Sequence, residues 1–134
     1  EVSDLKIAAP ICYEAILPGV CRRFDGPDLF VNVTNDGWFG ASAAPHQHGM
    51  LAASRTTELG VPMVRSTYSG VSMVIEPHGV MYATTGIYEE VQRLVEVRMA
   101  TFPTIYARYG DWFVGVSVVM LGGLWFGARR REDQ

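Results

Sequence analysis

Cys12 stands where an apolar stretch, Ile7-Ala8-Ala9-Pro10-Ile11, gives way to Tyr13, Glu14 and a second apolar run, Ala15-Ile16-Leu17. A thiol where a buried strand ends is held still and yet open to a cleft. That suits a nucleophile, because the thiolate attacks while nearby backbone N–H groups receive negative charge. The competing reading is a small buried cysteine acting as a hydrophobe. Cys21 follows nine residues on, a spacing that matches no zinc or redox motif. A disulfide between the two would remove the nucleophile, so both are read as thiols and Cys21 as structural.

Two other sets of residues invite chemistry and are set aside. Lys6, the only lysine, precedes Cys12 by six residues on the same strand. Alternation puts the two on one face but roughly 20 Å apart, so Lys6 cannot assist the thiol. His46-Gln47-His48 could chelate a metal when extended, but on a helix the two imidazoles point apart and no third ligand is near. No metal and no cofactor are expected.

The elements that must position Cys12 read as an α/β pattern. Leu5 to Ile11 is mostly apolar and reads as a central strand. Ala15 to Phe24 reads as a short helix interrupted near its start by Pro18-Gly19, and Gly26-Pro27-Asp28 as a turn. Leu29 to Thr34 is a β-branched and aromatic strand, followed by the loop Asn35-Asp36-Gly37-Trp38-Phe39-Gly40. Ligand sites in open α/β sheets lie at such strand ends. A helix begins at Ala44-Pro45 and runs to about Leu59, with Gly60 as its stop and small residues Ala52, Ala53 and Ser54 allowing close approach to a sheet. Pro62 to Thr67 and Val71 to Glu76 read as strands joined through Tyr68-Ser69-Gly70. Val80 to Thr84 reads as a short strand, and Val91 to Met99, whose alternation is imperfect, as an edge strand.

With 134 residues there is room for one domain with a real core. Net charge is −3 and no basic block is large enough for nucleic-acid binding, so no nucleic-acid partner is expected. Mean hydropathy is +0.12, which points to a membrane part. The chain opens on Glu1-Val2-Ser3-Asp4 with no initiator Met and no signal peptide, and so reads as the carboxyl-terminal piece of a longer polypeptide.

The tail supplies the membrane part. Residues 112–128 carry no charge, and at 1.5 Å per residue a helix of that length spans about 26 Å, near the lower limit for a hydrocarbon core. Tyr106, Tyr109 and Trp112 precede it, Trp125 lies near its end, and Arg129-Arg130-Arg131 follow. Aromatics at both ends and a basic cluster on one side fit a transmembrane helix with Arg129 to Arg131 in the cytoplasm. Residues 106–111 then form a juxtamembrane linker, residues 129–134 a cytoplasmic tail, and residues 1–105 a domain on the outer face. The competing reading is a buried terminal helix, which would need apolar partners all round.

Taken in order, several motifs carry a family resemblance: Ile11-Cys12-Tyr13-Glu14, Thr34-Asn35-Asp36-Gly37-Trp38-Phe39-Gly40, Gln47-His48, Arg65-Ser66-Thr67 leading to Gly70, Pro77-His78-Gly79, and Tyr106 to Trp112. The chain resembles the carboxyl-terminal half of a nitrilase-type (carbon–nitrogen hydrolase) domain, and within that superfamily the bacterial apolipoprotein N-acyltransferases. The family usually has Asn where Tyr68 stands. The resemblance implies the carboxyl-terminal half of a nitrilase-like αββα sandwich, followed by one transmembrane helix. It implies an acyltransferase of the inner (cytoplasmic) membrane, its catalytic domain on the periplasmic face. The acyl chain would pass from a phospholipid donor, through a cysteine thioester, to the amino-terminal amine of a diacylglyceryl apolipoprotein.

By the same resemblance Cys12 is the nucleophile, the Tyr13 backbone N–H donates to the oxyanion, Glu14 is a carboxylate that orients the site, and Trp38 lines the lipid entrance. The Glu base and Lys oxyanion donor of the family lie upstream of the cysteine, and nothing here matches them, so the chain alone is expected to be inactive. Three alternatives stay open. A soluble nitrilase or amidase would share Cys12 and Glu14 but lack the tail; a non-catalytic membrane-anchored interaction domain would not need Cys12; an acyl or glycan transferase of the superfamily would differ in its acceptor.

Overall fold

Alternation along two neighbouring strands decides which side chains lie beneath the helices. The computed structural model describes residues 4–132. In it β1 (Ile7–Ala8), β2 (Leu29–Thr34), β3 (Met63–Thr67), β4 (Met73–Ile75) and β5 (Met81–Tyr82) form one sheet in that order. The first three run parallel, while β4 and β5 join antiparallel. Parallel neighbours need a crossover, usually helical. A 3-10 turn, Cys12–Ile16, and the single-turn helix α1, Pro18–Cys21, connect β1 to β2; the long helix α2, Ala44–Leu59, connects β2 to β3.

The register stacks two layers on one sheet face. Phe30 pairs with Met63, and Met63 with Ile75, giving a wholly buried apolar layer. Ala8, Ala15, Cys21 and Ala52 complete this core. Fully burying a side chain the size of Phe30 or Met63 stabilises by roughly 1.5–3 kcal/mol. In the next layer on the same face Asn32 pairs with Arg65, and Arg65 with Met73, so a buried polar pair on β2 and β3 lies beside the apolar core. The small buried residues Gly49, Ala52 and Ala53 let α2 lie close over both layers. α2 ends at Gly60, whose φ of 69° is left-handed and whose missing Cβ leaves room for the Phe102 carbonyl.

Several expectations are corrected. The first strand, expected over Leu5–Ile11, pairs only at Ile7–Ala8, with one further bridge from Ile11 to Val33. Pro10 has no N–H for the ladder, and the Lys6 N–H turns aside to the Asp28 carboxylate. Nor is this strand central among the described residues: it lies at the margin of the sheet, with Ile7 exposed. The helix expected over Ala15–Phe24 is split by extended Leu17, because Pro18 opens a new turn instead of continuing the old one. The strands expected over Pro62–Thr67 and Val71–Glu76 pair over Met63–Thr67 and Met73–Ile75. The strand over Val80–Thr84 is reduced to β5, which ends as Ala83 turns left-handed at φ 52°.

Residues 91–99 form no strand. Val91, Val95 and Val97 are half-buried while Leu94 is fully exposed, so the alternation is real. It records one face laid on the molecule, tethered by side chains (the Tyr82 hydroxyl donates to the Glu96 carbonyl) and not by a backbone ladder.

The tail also differs in detail. Residues expected as a linker form α3 (Ile105–Tyr109), capped by Thr104, whose hydroxyl accepts from the Ala107 N–H at 2.9 Å. α4 (Trp112–Glu132) continues past Ala128 through the start of the expected cytoplasmic tail. Among the described residues no helix is long and apolar enough to cross a membrane. Residues 1–3 of the amino-terminal segment and 133–134 of the expected tail lie outside the described residues.

Candidate active site

Cys12 sits in a left-handed backbone conformation, φ 50°, at the first position of the 3-10 turn. A non-glycine residue there is uncommon, and such strain persists only where its surroundings impose it. Three sets of contacts impose it here. The Glu14 carboxylate reaches back to accept from the Ile11 N–H at 2.8 Å, and the Glu14 N–H donates to the Ile11 carbonyl at 2.9 Å. Ala15 is wholly buried against the core. From beneath, the Asn32 carboxamide donates to the Pro10 carbonyl at 2.8 Å and to the Cys12 carbonyl at 3.4 Å. Cys12 itself is partly exposed.

Asn32 belongs to a buried network. Arg65, 1% exposed, donates through Nη1 to Asn32 Oδ1 and through Nη2 to Asp36 Oδ2 at 2.9 Å. His48, 3% exposed, places Nδ1 2.8 Å from Asp36 Oδ1 and 3.0 Å from Arg65 Nη2. Asp36 can only accept and Arg65 can only donate, so one tautomer of His48 donates from Nδ1 to Asp36 and the other accepts there from Arg65. Thr34 adds a hydroxyl to Asp36 Oδ1. Burial pushes the Arg65 guanidinium below its ordinary pKa, and the Asp36 carboxylate opposes that shift. Gly70 makes room for this carboxylate, since a Cβ there would lie 2.2 Å from Asp36 Oδ2.

The Tyr13 ring lies over this network. It stacks on His48 with centroids 5.1 Å apart and meets the Phe39 ring at 6.3 Å. The Asn35–Gly40 loop therefore turns Phe39, not Trp38, towards Tyr13; Trp38 is 89% exposed. Asn35 pins the loop by accepting from the Gly37 N–H at 2.9 Å and from the Ser69 hydroxyl at 3.0 Å. Cys21 is remote in character: 1% exposed, its thiol donates to the Glu14 carbonyl at 3.4 Å, and burial pushes its pKa up to about 11. Its thiolate is disfavoured, as befits a structural cysteine.

Of the residues singled out from the sequence, the fold thus brings Cys12, Tyr13 and Glu14 onto one turn and leaves Trp38 at the surface. Sequence reasoning missed Asn32, Asp36, His48 and Arg65 as a set. His48 stands in the sequence reading as half of the Gln47-His48 motif and as a metal candidate beside His46, which is exposed on α2, but not as a partner of Asp36 and Arg65. A signal existed: alternation places Asn32 on the face of Phe30 and Arg65 on the face of Met63, and polar residues at inward positions require partners.

The sheet with its α2 crossover and the thiol on a strained turn define the class. Residues 1–103 match the carbon-nitrogen hydrolase family, and the chain belongs to that family. Its fold is similar to that of a carbon-nitrogen hydrolase from Helicobacter pylori G27, with a TM-score of 0.58 at 14% identity over 66% of this chain and 39% of that one. It is likewise similar to an amidase from Nesterenkonia sp. AN1, with a TM-score of 0.51 at 20% identity over 63% and 36%. More particularly, the chain is similar to curated apolipoprotein N-acyltransferases. One from Bradyrhizobium diazoefficiens is 46% identical over 90% of this chain and 22% of its own length. Another from Rickettsia prowazekii is 35% identical over 87% and 24%. The chain thus spans about a quarter or less of the length of these relatives.

Proposed function

We propose that this chain provides the nucleophile-bearing half of a membrane acyltransferase, with Cys12 as nucleophile, phospholipid as acyl donor and the amino-terminal amine of a diacylglyceryl apolipoprotein as acceptor. The observation that carries the reading is Cys12 itself, left-handed on a turn braced from both sides, in a chain 46% identical to an apolipoprotein N-acyltransferase. In the first half-reaction the thiolate attacks the donor's ester carbonyl. A C–S bond forms, the C–O bond breaks, and the lyso-lipid leaves as an alcohol after taking a proton. In the second, the neutral amine attacks the thioester. A C–N bond forms, the C–S bond breaks, the nitrogen loses a proton and the thiol is restored. Both oxyanions need preorganised donors, and the Tyr13 N–H, at the start of the 3-10 turn where backbone donors lack intrahelical partners, is one.

A general base and a cationic oxyanion donor are not supplied by Lys6, which lies exposed beyond β1. A longer polypeptide would provide them together with the second sheet of the αββα sandwich, and the chain alone would be inactive. Support for membrane attachment comes from the uncharged run 112–128 and from α4, where Phe113, Val114, Val118, Val119, Met120, Leu121 and Leu124 are all exposed. Although no helix among the described residues is by itself long and apolar enough to cross a membrane, we read the uncharged run 112–128 as the membrane segment, with Arg129 on its cytoplasmic side and the thiol at the outer lipid surface. Trp38, exposed on the loop that carries Phe39, would meet lipid in this reading.

The test loads the full-length protein with labelled phospholipid, isolates the acyl-enzyme and adds diacylglyceryl lipopeptide. Rapid transfer of label to the peptide amine is the expected result. Release of label only as free fatty acid would make the protein a lipid hydrolase, and no acyl-enzyme at all would favour a non-catalytic domain.

A further inference from the structure

Why Cys12 can hold a left-handed backbone is answered mostly from below. Asn32 is wholly buried, and its carboxamide donates to two carbonyls where the chain enters the turn, Pro10 and Cys12. A carboxamide can flip by exchanging its oxygen and nitrogen, and the flipped form would turn its oxygen against both carbonyls. Arg65 prevents this, because its Nη1 donates to Asn32 Oδ1 and accepts nothing. Arg65 is in turn fixed by Asp36 Oδ2, and Asp36 by His48 Nδ1 and the Thr34 hydroxyl. The orientation of Asn32 is thus set by Arg65, and that of Arg65 by Asp36, all three buried. The chain runs from α2 through the ends of β2 and β3 to the backbone of the thiol.

We propose that Asn32, locked by Arg65, is a positioning residue that sets the direction of the Cys12 thiol by clamping the carbonyls of Pro10 and Cys12. The inference rests on Cys12 being the nucleophile. Neither Asn32 nor Arg65 needs to touch substrate. Their effect is on how often the sulfur stands in line with the donor carbonyl, and misplacement by about 1 Å is enough to cost about 100-fold in rate. Donor binding, which depends on other surfaces, is untouched.

The experiment measures acyl-enzyme formation by the full-length protein across phospholipid concentrations. Asn32→Asp keeps the acceptor for Arg65 but loses the donor to Pro10 and Cys12; Asn32→Ala loses both. The expected result is a 10- to 100-fold lower maximal acylation rate with half-saturating phospholipid within about twofold of wild type, in protein that melts cooperatively. Should either variant not fold, Arg65→Lys decides: it keeps the charge beside Asp36 but loses the fork that holds Asn32, and the same split is expected. Wild-type acylation by folded variants, or a rise in half-saturation with an unchanged maximal rate, overturns the proposal. Cys12→Ser run alongside separates the two claims, since acylation that survives in it overturns the nucleophile assignment, whereas its loss there with normal Asn32 variants overturns only the positioning role.

Discussion

The two thiols of this chain lie nine residues apart and occupy opposite kinds of site. Cys12 stands on a strained turn whose support is polar: a carboxylate cap, a carboxamide clamp and a buried ion pair beneath. Cys21 ends a one-turn helix over an apolar layer formed by Ala15, Phe30 and Met63, with Phe24 against Phe30. The polar support fixes direction and leaves the sulfur partly exposed; the apolar support removes water and raises the pKa. Glu14 joins the two regions. Its carboxylate closes the Cys12 turn while its carbonyl receives the Cys21 thiol. The same sheet face thus leaves one cysteine partly exposed on a polar support and buries the other in apolar packing, and what differs is the layer beneath.

The largest effect should come from unbalancing the polar layer. Arg65→Met leaves Asp36 buried without its cation and should cost about 3–5 kcal/mol of unfolding free energy by urea titration. Phe30→Ala, the matching cut in the apolar layer, should cost a similar ~3–5 kcal/mol. The two differ in their secondary effect: the first should slow alkylation of Cys12 in folded protein, the second should speed alkylation of Cys21. If both variants changed the same thiol, the separation between the layers would be wrong.

Alkaline pH should act on the apolar region through Cys21. The Cys21 thiol ionises near 9.0 when unfolded and only near 11 when folded, so the folded state binds the extra proton between those values. Stability should be unaffected by this group below about pH 9 and fall as pH rises towards 11. Comparing urea midpoints of wild type and Cys21→Ala isolates the term, and a Cys21→Ala curve that falls as steeply as wild type would contradict it.

The smallest effect belongs to the bridge. Glu14→Ala removes the cap on Ile11 and should cost about 1 kcal/mol, while Glu14→Gln, which keeps an acceptor oxygen, should cost less. If Glu14→Gln nevertheless lost acylation, the carboxylate charge would matter beyond the cap.

How far these features could be read from sequence depends on the distance over which they are determined. β2, α2 with its stop at Gly60, and the cores of β3 and β4 follow from alternation, helix periodicity and one left-handed glycine, all local properties. Residues 91–99 alternate as a strand would, but pairing needs a partner edge, and sequence shows pattern without partner. Cys12, Tyr13 and Glu14 were found because they are contiguous. Asn32, Asp36, His48 and Arg65 come from β2, the loop after it, α2 and β3, and only the register that sets Asn32 beside Arg65 brings them together. The left-handed φ of Cys12 was not legible, because nothing in the residue type requires it.

The central claim is that the polar-supported thiol is the reactive one. Full-length protein incubated with phospholipid and quenched in acid should gain the mass of one acyl chain, localised by peptide mapping to Cys12. The adduct should be absent from Cys12→Ser and retained in Cys21→Ser. An adduct that maps to Cys21, or that persists when Cys12 is replaced, would contradict the account.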